Sequence, residues 1–216
     1  SVSASRMTHM AGNSIIGAAK LALEKWHEGD RPAVGSFVYR PPATTPMDKI
    51  DGHCTPNFTY GYVAQAIFAD VNTLTGEVHL RDVISVDDVG KAINPTQVEG
   101  QIEGAVVQAT GYTILENWKK RNTKALTKEF STYLIPTVLD IPDRTRSVIL
   151  EYPDPIGPYG ARGMGEMPYL PFAPAVIDAV HQATCVRFHS FPLTAEKVLR
   201  GLGKLKLEVV GFWDYE

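Results

Sequence analysis

The run Tyr60-Gly-Tyr-Val-Ala-Gln-Ala-Ile-Phe-Ala-Asp-Val71, the link Asn72-Thr-Leu-Thr-Gly76 and the return Glu77-Val-His-Leu-Arg-Asp-Val-Ile-Ser-Val86 decide the fold class. Both runs are rich in β-branched and aromatic residues, and the polar link ending in glycine is turn chemistry. The pattern predicts a hairpin of long strands at the centre of a sheet. Outside it the apolar period changes to that of helices. His9–Glu28 carries Met10, Ile15, Ala18, Ala22, Leu23 and Trp26 on one side and is stopped by Gly29-Asp30 and Pro32. Further helices are expected over about residues 97–118, 169–183 and 194–199. Ala33–Tyr39 and Arg146–Tyr152 read as strands, Lys119–Lys128 as a charged surface link, and Lys204–Tyr215 as a closing strand or tail. Strands and helices mix without a strict β-α-β rhythm. The predicted class is therefore α+β, with helices packed on mixed or antiparallel sheets.

Composition bounds the function. At 216 residues, 44% hydrophobic and 21% charged, the chain can bury a sizeable core of ordinary globular type. A net charge of −3 gives no basic field for nucleic acid. No apolar run approaches the roughly 20 residues that a membrane span needs. Cys54 and Cys185 are too few and too far apart for a disulfide framework or a cysteine-rich metal site, so both are expected to be reduced thiols in a cytoplasmic protein. His53 beside Cys54 has no further ligand nearby in sequence, and no metal-ligating side chains are predicted.

Chemistry concentrates in Gly160-Ala-Arg-Gly-Met-Gly-Glu-Met-Pro168. Glycines at 160, 163 and 165 permit positive φ or close approach to a bulky ligand. Pro168 suits the first turn of the helix expected from Tyr169, which would place Glu166 near a helix N-terminus. Taken alone, Glu166 reads as a helix-capping acid. Arg162 could pair with it, orient an anionic substrate, or be structural. Ser1-Val-Ser-Ala-Ser-Arg6 sets small residues, hydroxyls and a cation before a helix, an arrangement suited to an anion and equally to a capped helix start. Gln101, in Val98-Glu-Gly-Gln-Ile-Glu-Gly104, offers a side-chain amide that both donates and accepts.

These segments, with Asn94-Pro95, Ser131-Thr-Tyr-Leu-Ile-Pro-Thr-Val-Leu-Asp-Ile-Pro142 and Ala173-Pro174-Ala175, follow one another as they do in a known family. In this order the chain resembles the molybdenum hydroxylases, the xanthine dehydrogenase and aldehyde oxidase family. The match is to the C-terminal half of the molybdopterin-binding subunit and spans roughly residues 1–200. The resemblance implies a molybdenum–molybdopterin cofactor, plain or as the cytosine dinucleotide, held by the pterin dithiolene with no protein ligand to the metal. It implies that Ser3, Ala4, Ser5 and Arg6 hold the pterin phosphate. Gln101 and Gly165 would lie against the cofactor, with Gly100 and Gly104 allowing close packing. Glu166 would be the base in hydroxylation of an electron-poor carbon of a purine, N-heterocycle or aldehyde by water-derived oxygen. The alternative is a structural or cofactor-handling subunit without turnover. Because the chain starts inside the first motif, residues 1–216 are expected to be a split subunit or an excised fragment of the cofactor-binding domain, with exposed apolar surface. Partners implied are the N-terminal half or a second molybdopterin subunit, an iron–sulfur subunit, an FAD subunit and a small-molecule substrate.

Overall fold

A computed structural model describes residues 4–205. Ser1, Ser3 and nearly all of the Lys204–Tyr215 segment lie outside that range. The helices are α1 (Arg6–Glu28), α2 (Pro95–Thr110), α3 (Phe172–Thr184) and α4 (Ala195–Gly201). The strands are β1 (Tyr62–Val71), β2 (Val78–Asp88), β3 (Lys120–Arg121), β4 (Lys124–Ala125) and β5 (Arg144–Leu150). The described residues form two units. One gathers residues up to 64 with 85–102 and 147–168; the other gathers 65–84, 103–146 and those from 169.

The α+β class is observed, and the hairpin forms where its residues predict it. Asn72 makes the turn: its Oδ1 accepts from the Leu74 and Thr75 amides, and its carbonyl accepts from Gly76 N–H at 2.7 Å. Gly76 has φ 79, and a Cβ there would meet the Ala195 carbonyl. Sheet order is β1-β2-β5, so β2 is central while β1 is an edge strand, which corrects half of the expected placement. In the second unit, Phe172, Val176 and Val180 repeat every fourth residue on α3. They join Val78, Leu80 and Val83 of β2, and Val106 and Ala109 of α2, in one buried apolar cluster. Burying each of the Val, Leu and Phe side chains contributes roughly 1.5–3 kcal/mol. The first unit has its own cluster: Val89, Ala92, Val98 and Ile102, with Ile149, Met164 and Met167 packed on it.

Other departures have local causes. Residues 33–39 form no strand. Lys25 Nζ donates to the Val34 carbonyl and the Tyr39 amide donates to Ser14 Oγ, so the segment runs along α1 as a strap bonded to its side chains. α2 stops at Thr110 and continues as a widened turn over Gly111–Leu115. The Thr110 and Thr113 hydroxyls donate to the Val106 and Ala109 carbonyls four residues back, a bonding pattern that bends helices. The charged link 119–128 contains the short β3–β4 hairpin, turned by Asn122 and Thr123 at φ 46 and 65. α3 begins at Phe172, later than expected, with Pro171, which has no N–H to donate to a preceding helical turn, at its N-cap. Pro168 sits instead in a single 3₁₀ turn, Met167–Tyr169.

Apolar side chains are also left in solvent. Phe130, Val138 and Leu139 are 78%, 80% and 89% exposed, against the tendency of such residues to be covered.

Candidate active site

The Glu166 loop is built in the first unit on a stapled base. Arg162 N–H donates to the Val89 carbonyl at 2.8 Å, and Lys91 N–H donates to the Gly160 carbonyl at 2.9 Å. Gly90 and Ala161 form the antiparallel bridge between these bonds. Gly90 has φ 61, and a Cβ there would fall 3.0 Å from Arg162 N. These backbone bonds hold the loop against the end of β2.

Arg162 locks that base from its side chain. The guanidinium is only 13% exposed and lies 3.4 Å from Asp88 Oδ2 and 3.4 Å from Asp154 Oδ2. It also donates to the Tyr152 carbonyl at 3.0 Å and the Tyr60 carbonyl at 2.8 Å. Asp154 accepts from the Thr59 hydroxyl at 2.6 Å and from the amides of Ile156 and Gly157. Burial opposes its ionisation, but these hydrogen bonds and the Arg162 charge outweigh burial and hold its pKa below the ordinary value. Asp88 Oδ1 accepts from Gly90 and Tyr152 N–H. Arg162 is therefore a structural cation between two aspartates and does not pair with Glu166. Sequence reading missed this network. Nothing in Asp87-Asp88 or in Pro153-Asp-Pro155 marks either aspartate as a partner of Arg162.

Beyond Arg162 the loop becomes the meeting point of the separated segments. Ser5 Oγ accepts from Met164 N–H and Gly165 N–H, each at 3.3 Å. A Cβ on Gly163 would touch the Ala4 carbonyl at 3.4 Å, and one on Gly165 would lie 3.6 Å from Ser5 Oγ and 3.8 Å from Gln101 Oε1. Ala4, Ser5, Gln101 and Gly165 thus face one small space. Arg6 opens α1 and is exposed. Met167 N–H returns to the Met164 carbonyl at 3.3 Å, a tight turn with Gly165 and Glu166 at its corner. Glu166 is exposed, with no hydrogen-bond or ion-pair partner among the described residues. It caps no helix: α3 has Pro171 at its N-cap position, and no side-chain cap.

Gln101 lies in the middle of α2, exposed. Gly100 and Gly104 flank it, and no described atom lies within 4 Å of a Cβ built on either. They pack against nothing among the described residues and leave a bare notch beside the Gln101 amide. A cleft of about 950 Å³ runs along β1 and α3 over Ala175, Ala179 and Ala183, and none of these converging residues lines it. Its wall charges are paired: Asp70 with Arg81 and Asp82 with Arg144 within the lining, and Asp143 and Asp178 with His79 and Arg187 beside it. Among the described residues no group of three or more His, Cys, Asp or Glu side chains could hold a metal.

Comparison with known proteins places the chain in a family. The family model of the molybdopterin cofactor-binding domain matches residues 26–142, more than half of the chain. The chain belongs to the molybdenum hydroxylase family. It is 32% identical over 165 residues to a probable xanthine dehydrogenase subunit of Bacillus subtilis, covering 76% of this chain and 22% of that protein. The aldehyde oxidoreductase structure from Desulfovibrio desulfuricans superposes with a TM-score of 0.76 at 28% identity, over 90% of this chain and 22% of that one. Quinoline 2-oxidoreductase from Pseudomonas putida gives a TM-score of 0.60 at 36% identity, over 63% of this chain and 18% of the other. The chain spans about a fifth of the length of the relatives it matches.

Proposed function

We propose that residues 1–216 form the C-terminal part of the molybdopterin-binding region of a cytoplasmic multi-component hydroxylase. It adds water-derived oxygen to an electron-poor carbon of a small molecule such as a purine, N-heterocycle or aldehyde. The observation that carries this reading is the convergence of Ala4-Ser5, Gln101 and Gly163–Glu166, three segments far apart in sequence, around one space left open by Gly165.

The residues present suit a molybdopterin cofactor. The first turn of α1 has no acidic residue and no side-chain cap, so its amide groups and Arg6 favour an anion such as the pterin phosphate. Ala4 and Ser5 precede that turn, and the resemblance assigns Ser3 to the same contact. Gln101 supplies an amide, and the notch at Gly100 and Gly104 leaves it room. The cofactor, plain or as the cytosine dinucleotide, supplies a Lewis acid and a two-electron acceptor when bound. Glu166 supplies the base. Its carboxylate has no competing partner among the described residues and stands at the corner of a turn whose amides are fixed by Ser5. It takes the proton from the water that provides the oxygen atom. Cys54 and Cys185 are too few to ligate an iron–sulfur cluster, which takes four protein ligands. Iron–sulfur and FAD centres on partner chains, and the remaining half of the cofactor-binding region, complete the enzyme and cover side chains such as Phe130 and Leu139.

Glu166→Gln keeps the size of the side chain and removes the base. In the assembled enzyme, turnover should fall by about 10² or more, the scale of a positioned general base, with molybdenum and pterin content unchanged. Reduction of the metal by substrate at the wild-type rate would refute the assignment.

A further inference from the structure

We propose that Ser5 is a positioning residue for Glu166: its hydroxyl oxygen, turned away from its own helix, clamps the two amides that precede the carboxylate. This rests on the base assignment above for its catalytic consequence, though not for its geometry. Ser5 is the N-cap of α1, where a serine ordinarily accepts from the second or third amide of the helix. Here it makes no such bond. Ala4 and Ser5 both adopt left-handed backbone, φ 52 and 56, a conformation disfavoured for residues with a Cβ. The turn carries Ser5 Oγ across 159 residues of sequence to Met164 N–H and across 160 to Gly165 N–H, 3.3 Å from each.

Two consequences follow from the valence of a hydroxyl. Both lone pairs are engaged by loop amides, so the only function left to the group is its O–H donor, which has no acceptor among the described residues. The position of a Cβ on Gly165 is 3.6 Å from this oxygen and 3.8 Å from Gln101 Oε1, so the serine and the amide border the same space. An acceptor entering that space takes the O–H and polarises the oxygen, which then holds the Met164 and Gly165 amides more tightly. Occupancy of the space and the direction in which Glu166 leaves the loop are coupled through one atom. The Met164–Met167 turn transmits this, because Glu166 directly follows the second clamped residue.

Hydrogen–deuterium exchange on the protein in its natural assembly tests the clamp, with Ser5→Ala and Ser5→Thr beside wild type. In Ser5→Ala the Met164 and Gly165 amides should exchange roughly five- to tenfold faster, the scale of one net hydrogen bond. The Arg162 amide, bonded to Val89, should not change and reports an intact fold. Ser5→Thr should restore protection. In the loaded enzyme Ser5→Ala should lower kcat at least tenfold with KM within twofold, and Ser5→Thr should recover it. Unchanged exchange at Met164 and Gly165 in Ser5→Ala overturns the clamp. Faster exchange with undiminished kcat overturns the positioning role. If Glu166→Gln turns over normally while the exchange result stands, it is the base assignment that has failed.

Discussion

Removing the Arg162 guanidinium is the most severe test of how the loop is built. The group is 13% exposed and lies between two aspartates whose side chains are 9% and 5% exposed, at 3.4 Å from each. Arg162→Leu keeps part of the aliphatic bulk and leaves Asp88 and Asp154 buried without a counter-charge. Breaking a buried ion pair in this way costs about 3–5 kcal/mol, most of it the desolvation left uncompensated. For a chain of this size about 1 kcal/mol moves the melting temperature by 2–4 °C, so the variant should melt about 6–20 °C lower. The pH dependence should change in a defined direction. Asp154 is more acidic in the fold than its ordinary 3.8, so it contributes stability above that value, which is lost as pH falls through the depressed folded pKa. Without Arg162 that depression shrinks and the acid limb of the stability curve flattens. Thermal unfolding followed by circular dichroism from neutral to acid pH measures both effects. A cycle with Asp88→Asn and Asp154→Asn isolates the coupling, since Arg162→Leu should cost much less in the neutralised background. A melting temperature within a degree of wild type, with an unchanged acid limb, would show that the staple between Val89 and Arg162 holds the loop without the charges.

Asp87 gives a pH effect of opposite sign. Burial raises its pKa above 3.8 and the Ser85 hydroxyl only partly offsets this, so its contribution to stability falls as pH rises from 3.8 through the raised folded value. Asp87→Asn, followed by urea unfolding across that window, should remove the slope; an unchanged slope would place the titration elsewhere. Phe172→Ala empties a fully buried position between α3 and β2 and should cost about 3–5 kcal/mol by denaturant titration. Gly100→Ala and Gly104→Ala meet no described atom within 4 Å and sit inside α2, so each should raise stability by about 0.5–1 kcal/mol. If the notch is the cofactor's seat, the same variants should purify with less molybdenum and pterin; full cofactor content would remove the notch from the site.

What was legible in the sequence depended on whether the determinant was local. The Asn72–Gly76 turn and the strands beside it were legible because alternation and turn chemistry act within a few residues. The same holds for α1, whose period, glycine stop and Pro32 are contiguous. The end of α2 was not legible, since the back-bonding of Thr110 and Thr113 competes with a helical pattern that runs on to residue 118. The strap over 33–39 has a strand's composition, and its bonding went to Lys25 and Ser14 on α1 instead of a ladder. At the candidate site, residue types alone left Glu166, Gln101 and Ser5 open between helix caps, exposed positions and ligand contacts. Their resemblance to a family ordered them, but no spacing rule places Ser5 Oγ on Met164 and Gly165. Nor does any assign Arg162 to Asp88 and Asp154 over Glu166. Those pairings are decided by the path of the chain between them.

The two halves of the Glu166 loop are held by unlike means, and the difference follows from what each must do. From Gly160 to Arg162 the loop is fixed by a backbone bridge and a buried cation, contacts that are expensive to break and leave no group free for a ligand. From Gly163 to Glu166 there is no Cβ at two of four positions, and Ser5 Oγ holds the amides of Met164 and Gly165 at 3.3 Å, a weaker attachment than the 2.8 Å bond of Arg162 N–H to Val89. Only this second half borders Gln101 and the open space beside Gly165. For Glu166 as the base proposed above, a rigid base with an adjustable tip suits a carboxylate that would meet a reacting water at hydrogen-bond distance, where a small displacement carries a large loss of rate. Substitutions in the base should therefore act first on stability, and substitutions at Ser5, Gly165 or Glu166 first on turnover. Equal losses of both at the two halves would contradict this division.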